Sequence, residues 1–126
     1  MDKISYGFEI RIVGDDAKVR TNMFFISHNN NLNLHYVEKD SRNVHKLEIT
    51  KITLVKFGNQ TGNFKKLNPQ SLSEFPSDLC LSIFINTRTL DLVFFKIEDL
   101  KEFCFGTYCL WEEFLSLGAK EYIIDN

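Results

Sequence analysis

Apolar and polar positions alternate along most of the first hundred residues, with the period of two that is typical of half-buried β-strands. The alternation predicts a strand over 5–13 and, after the turn signal Gly14–Asp16, a second strand over 18–27. A third strand over 32–36 follows an Asn-rich turn at 28–31. We expect these three strands to form an antiparallel meander.

The middle of the chain predicts further strands around two polar segments. A charged loop over 38–43 leads into a fourth strand region over 47–57, which is rich in β-branched residues. Residues 58–76 are long, polar and contain both prolines, and loops of this length are usually functional or mobile. Two apolar runs over 79–85 and 90–95 then form a hairpin.

After residue 96 the period changes from that of a strand to that of a helix. One apolar stripe has spacings of three, four and seven, and it consists of Ile97, Leu100, Phe103, Cys104, Trp111, Phe114 and Leu115. It predicts a helix over about 97–117, followed by a tail or a short extra strand over 118–126. The whole pattern predicts a single mainly β (α+β) domain over 1–126, a seven-stranded bent antiparallel barrel capped by one C-terminal α-helix.

Composition narrows the choice of partners and chemistry. The 126 residues carry a net charge of −2, so no global basic field attracts the chain to nucleic acid or anionic lipid. Three cysteines without a CxxC pair favour reduced thiols in the cytoplasm, and no apolar run is long enough to span a membrane. The histidines lack metal-ligand spacing, and no nucleophile elbow or glycine-rich phosphate loop is present. We therefore expect no enzyme activity, no metal, no cofactor and no nucleic-acid partner.

Four segments resemble phospholipase C-type pleckstrin-homology (PH) domains. Residues 52–64 are similar to the family pattern I-x-x-V-x-x-G-x-x-T-x-x-F, 76–83 to P-x-D-x-C-F-S-I, and 90–93 to L-D-L-[IV]. Residues 98–104 resemble the start of the family helix, with Phe103 where PH domains normally have a tryptophan. The chain is also similar to small apicomplexan PH-fold proteins, namely the inner-membrane-complex sub-compartment proteins and the acylated PH-domain protein.

That resemblance implies a non-catalytic adaptor at a membrane surface that works mainly through protein partners. It further implies a cytoplasmic, peripheral location, at the inner membrane complex if an acylated N-terminal leader provides the anchor. The start Met1-Asp2 lacks the glycine that N-myristoylation requires. Two alternatives stay open, a module that binds phosphatidic acid or a phosphoinositide, and an excised PH domain of a larger phospholipase C. The sequence does not specify an oligomeric state.

In lipid-binding PH domains, basic residues on the first two strands hold the phosphates. Ile12 and Gly14 stand at the places of the family's K-x-K run, and Asn22 stands at or near that of its arginine. Two aspartates in the intervening loop would repel a phosphate, so we expect a degenerate site. Contacts to any bound headgroup are expected from Arg11, Lys18, Arg20 and Lys39, and non-specific membrane contact from Lys51, Lys56, Lys65 and Lys66.

Two further features carry predictions about packing. Asp91 lies inside an apolar strand without a base near it in the sequence, which predicts a hydrogen-bonded structural acid. The pairs at 24–25 and 94–95 each place one phenylalanine on either face of a strand. The outward ring of each pair marks either a binding surface or a position covered by another part of the fold.

Overall fold

The computed structural model describes residues 7–26, 33–39, 41–86, 88–116 and 123–125, with side chains through residue 108. Eight strands form one sheet in the order β4-β3-β2-β1-β7-β6-β5-β8. Their bounds are β1 Gly7–Val13, β2 Val19–Ile26, β3 Asn33–Glu38, β4 Val44–Glu48, β5 Ile52–Phe57, β6 Cys80–Ile85, β7 Arg88–Phe94 and β8 Ile123–Asp125. The first seven strands pair antiparallel, which confirms the predicted architecture.

The predicted fourth strand region over 47–57 is two strands. A 3₁₀ turn, Ile49–Lys51, separates β4 from β5. Leu47 and Ile49 are two residues apart and buried, but the next buried side chain is Ile52, three residues on. That spacing cannot continue along one face of a straight strand, so the chain turns a corner and keeps all three side chains in the core.

One long helix, α2 (Ile97–Ser116), closes the core, and it follows a single helical turn, α1 (Pro69–Leu72), in the segment before β6. The ring of Phe103 makes edge contacts with Phe8, Phe24 and Phe94, at centroid distances of 6.1, 5.9 and 5.3 Å. The predicted C-terminal helix is confirmed over residues 97–116, and residue 117 lies outside the described residues. Edge contacts of this kind stabilise the packed helix beyond what the burial of apolar area alone contributes.

The end of the chain returns to the sheet as β8. Residues 123–125 pair in parallel with β5, in the register Leu54 to Ile123. The extra strand is therefore the correct one of the two alternatives for this stretch. The Asn-rich turn predicted at 28–31, Asp2 and the remainder of the predicted tail lie outside the described residues.

A second, smaller core lies on the outer face of the sheet. The segment over 58–79 folds across β1, β6 and β7, and it buries Phe64 and Phe75 against Val13, Cys80 and Val93. Asn68 caps α1 by accepting a hydrogen bond from the Ser71 amide at 2.8 Å, and Pro69 occupies the first helical position. This long polar segment is thus an integral layer of the fold.

Candidate functional site

The described residues form an open pocket at the end of β1. The pocket has a volume of about 340 Å³ and is lined by Ile12, Gly14, Arg20, Asn22, Tyr36, Glu38, His45, Lys46 and Arg88. Strand register explains the set, because Ile12 pairs with Arg20, and Asn22 pairs with both Ile10 and Glu38. The residues that the resemblance aligns with the family's cations therefore do reach the pocket wall, and they are uncharged here.

Among the basic residues of the pocket, Arg20 has defined acidic partners. Its guanidinium forms two hydrogen bonds with the Asp16 carboxylate, at 2.8 and 3.3 Å. Its Nε lies 4.0 Å from an oxygen of Glu38. Arg20 thus meets two carboxylates of its own chain. An incoming phosphate would have to displace these carboxylates or bind close to them, and both options are unfavourable.

The loop between β1 and β2 holds Asp16 in this position. Ala17 adopts a left-handed φ of 64°, and the Gly14 amide donates to the Lys18 carbonyl at 2.8 Å. The Lys18 amide in turn donates to Asp16 Oδ1 at 3.0 Å. The hydrogen bond from Arg20 is the main cause that lowers the pKa of Asp16 to about 2, and the Lys18 amide adds to it. Asp16 therefore stays ionised at any physiological pH and keeps Arg20 neutralised.

The other predicted headgroup contacts do not join Arg20. Arg11 lies on the opposite face of β1, where its guanidinium contacts the rings of Phe75 and Phe95. Lys39 pairs with Glu9 at 3.4 Å. Lys18 is exposed on the loop and does not line the pocket. Of the four residues, only Arg20 is a pocket residue.

The structure adds three basic residues to the pocket that sequence reasoning missed, namely His45, Lys46 and Arg88. Arg88 reaches it because β7 begins beside the end of β1, with Val13 opposite Asp91. His45 stacks on Tyr36 at a centroid distance of 5.2 Å. Strand pairing brings all three residues to the pocket, and no local sequence motif predicts that pairing.

The second predicted basic group is distributed over three elements. Lys51 ends the 3₁₀ turn before β5, Lys56 lies on β5, and Lys65 and Lys66 end another 3₁₀ turn, Gly62–Lys66. Lys66 Nζ donates to the Asp15 carbonyl at 3.1 Å. That bond brings one member of this group to the β1–β2 loop and thus next to the first group.

Asp91 is a structural acid, as predicted. Its carboxylate is fully buried and accepts hydrogen bonds from Ser82 Oγ at 2.6 Å, Thr89 Oγ1 at 2.7 Å and the Asn63 amide at 3.0 Å. Gly62 adopts a φ of +61°, and a Cβ at this position would collide with the Asp91 carboxylate. Asp91 thereby ties the segment over 58–79 to the barrel next to the pocket.

The two cysteines whose side chains the structure describes are weak nucleophiles. Burial raises the pKa of the Cys80 thiol to about 12 and that of Cys104 to about 11, so both remain protonated and weakly nucleophilic. Within the described ranges, no cluster of three His, Cys, Asp or Glu side chains could hold a metal ion. No helix in this part of the chain is both long enough and apolar enough to cross a membrane.

Comparison with known proteins supports the fold. No protein-family model and no curated protein sequence matches the chain. Among solved structures, the chain is similar to inner membrane complex sub-compartment protein 1 from Toxoplasma gondii, with a TM-score of 0.62 and 12% sequence identity. The match covers 86% of this chain and 84% of that one. The chain therefore has a PH-like fold.

Proposed function

We propose that this protein is a non-catalytic PH-like scaffold that acts at a membrane surface, mainly through protein contacts. The observation that carries the proposal is the state of the pocket. Its central arginine, Arg20, is paired with Asp16 and Glu38 of the same chain, and uncharged residues stand at the family's cationic positions. A pocket that supplies its own anions has little affinity left for an inositol phosphate.

The location that we propose is the cytoplasmic side of the inner membrane complex, as a peripheral protein. The structural similarity to a protein of that compartment supports this assignment. A tagged full-length protein should be found at the inner membrane complex by fluorescence microscopy. A uniform cytoplasmic signal would contradict the location without affecting the argument about the pocket.

Titration calorimetry with soluble inositol phosphates tests the proposal directly. We expect no saturable heat at millimolar ligand, because displacement of the Asp16 carboxylate opposes binding. Tight and stereospecific binding would overturn the proposal in favour of a lipid-reading module. Arg20→Glu and Arg88→Glu would then identify the pocket as its site, and liposome sedimentation would rank the lipids.

Binding to anionic lipid is the second candidate function, and one observation favours it. Besides Arg20, the pocket wall includes Lys46 and Arg88. Juxtamembrane basic residues each contribute about 1 kcal/mol to binding of an anionic bilayer. Sedimentation with phosphatidic acid vesicles that is lost in high salt and in Arg88→Glu would support this function.

A further inference from the structure

Arg11 lies in an unusual setting on the outer face of the sheet. It pairs with Thr21 of β2 and Val93 of β7. Its guanidinium carbon is 4.3 Å from the centroid of the Phe95 ring and 5.2 Å from that of Phe75. Two aromatic rings therefore contact one cation and hold the plane of its guanidinium in place.

The hydrogen bonds that Arg11 could make are not all satisfied. Its Nε is buried and has no hydrogen-bond partner, and within the described residues its guanidinium forms no ion pair. The carboxylate two residues away on the same strand, Glu9, is already bonded to Lys39. A guanidinium is matched to a carboxylate because its N–H groups form a planar fork. Among the residues that the structure describes, no carboxylate pairs with this guanidinium.

The surface around Arg11 is apolar rather than basic. Phe95 is 45% exposed beside it, and Phe75 belongs to the outer core. On the same strand, Glu9 is paired with Lys39, so this pair carries no net charge. A bilayer of anionic lipid is held by several cations acting together, whereas one fork next to an exposed aromatic ring suits one acidic side chain with an apolar neighbour.

We propose that Arg11, Phe75 and Phe95 form a docking site for an aspartate or glutamate side chain of a protein partner, which we call the Arg11 site. Because Nε is buried while the Arg11 side chain as a whole is part-exposed, the acid would form its two hydrogen bonds with the two terminal Nη nitrogens, and the apolar residue next to the acid would cover Phe95. The proposal rests on the proposed scaffold function and specifies the chemistry of the partner. Arginine and aromatic residues are enriched among the side chains that dominate binding energy at interfaces.

The test uses a small peptide with one glutamate next to a phenylalanine, both ends blocked, and its glutamine counterpart. The Nε–H resonance of Arg11 in an NMR titration reports on the guanidinium, because Nε is bonded to the carbon that carries both terminal nitrogens. We expect the glutamate peptide to shift this signal and to saturate. Backbone amide shifts measure the affinity of the variants, since Arg11→Lys lacks the guanidinium signal, and we expect this variant to bind about tenfold more weakly or worse because the ammonium lacks the fork. Phe95→Leu should also weaken binding, while Arg88→Lys, a matched change in the pocket, should have no effect.

Four results would overturn the proposal. These are equal binding of the glutamine peptide, unchanged affinity in Arg11→Lys, no shift of the Arg11 signal at any concentration, and a shift produced by phosphatidic acid vesicles in place of the peptide. Amide spectra of Arg11→Lys and Phe95→Leu check that each variant is folded. If Arg11→Lys does not fold, Phe95→Leu still tests the site. Calorimetry with inositol phosphates probes the pocket on the other face of the sheet. Tight binding there would contradict the scaffold proposal without changing the result of the peptide titration.

Discussion

The buried carboxylate of Asp91 allows a quantitative prediction. Asp91→Ala removes the acceptor of three hydrogen bonds, one from the buried Ser82 hydroxyl and two from the part-buried Thr89 hydroxyl and Asn63 amide. Hydrogen bonds to a charged group contribute about 1.5–3 kcal/mol each, but hydroxyls can rotate towards other partners. We therefore expect the free energy of unfolding to fall by about 3–5 kcal/mol.

The same loss can be expressed as a melting temperature. An unfolding entropy of about 2.1 cal/mol/K per residue gives about 0.26 kcal/mol/K for 126 residues. The Tm of Asp91→Ala should then be lower by about 11–19 °C. Asp91→Asn keeps one carbonyl oxygen for the Asn63 amide and should cost only about 1–2 kcal/mol. Asp78→Ala removes an exposed acid and serves as the control, with an expected change within about 0.5 kcal/mol.

Urea and thermal denaturation measure these changes, and hydrogen exchange at the Asn63 amide localises them. In Asp91→Ala this amide should lose protection more than the amides of β1 do, because its acceptor is gone. The reasoning is refuted if Asp91→Ala costs less than about 1 kcal/mol, or if it is no worse than Asp91→Asn. It is also refuted if the Asn63 amide keeps its protection, since the segment over 58–79 would then be held by other contacts.

Three further predictions concern the pocket and the cores. Asp16→Asn combined with Glu38→Gln frees Arg20, so calorimetry should detect inorganic phosphate binding that the parent lacks; no gain would mean that the two acids do not block the pocket. In the parent, the depressed pKa of Asp16 keeps its pair with Arg20 intact above about pH 3.8, with loss only as the pH falls through about 2, so the carboxyl carbon-13 shift of Asp16 should stay constant between pH 7 and pH 5. Phe24→Ala should cost about 3–5 kcal/mol in urea denaturation, and the outward Phe25→Ala less than about 1; similar values would contradict the assigned faces.

The sheet and the helix could be predicted because their local patterns agree with their final environment. Phe24 is fully buried and Phe25 is 40% exposed, as simple alternation requires. The pattern does not predict the boundary between β4 and β5, because the 3₁₀ turn leaves the sequence as apolar as a strand. The turn changes only which positions face the core, from every second residue to a step of three. Local composition cannot distinguish a bent corner from one continuous strand.

The candidate site could be predicted only in part. Successive residues of a strand point to opposite faces, so Arg11 lies on the face opposite Ile12. Because Ile12 lines the pocket, the alternation already predicts that Arg11 does not. The ion pair of Arg20 with Asp16 depends on the left-handed backbone at Ala17, which the residue type does not suggest. Arg88 lines the pocket through pairing between β1 and β7, two strands far apart in the sequence.

The outer layer over 58–79 has a consequence for how the chain avoids aggregation. Because this layer covers one face of β6 and β7 and the inner core covers the other, side chains on both faces are buried almost throughout, and the buried ones are apolar except for Ser82 and Asp91. Such a hairpin without its cover would be a template for intermolecular β-pairing. The segment over 58–79 is synthesised before the β6–β7 hairpin. Phe64 and Phe75 are therefore available to cover the apolar hairpin as soon as it is synthesised.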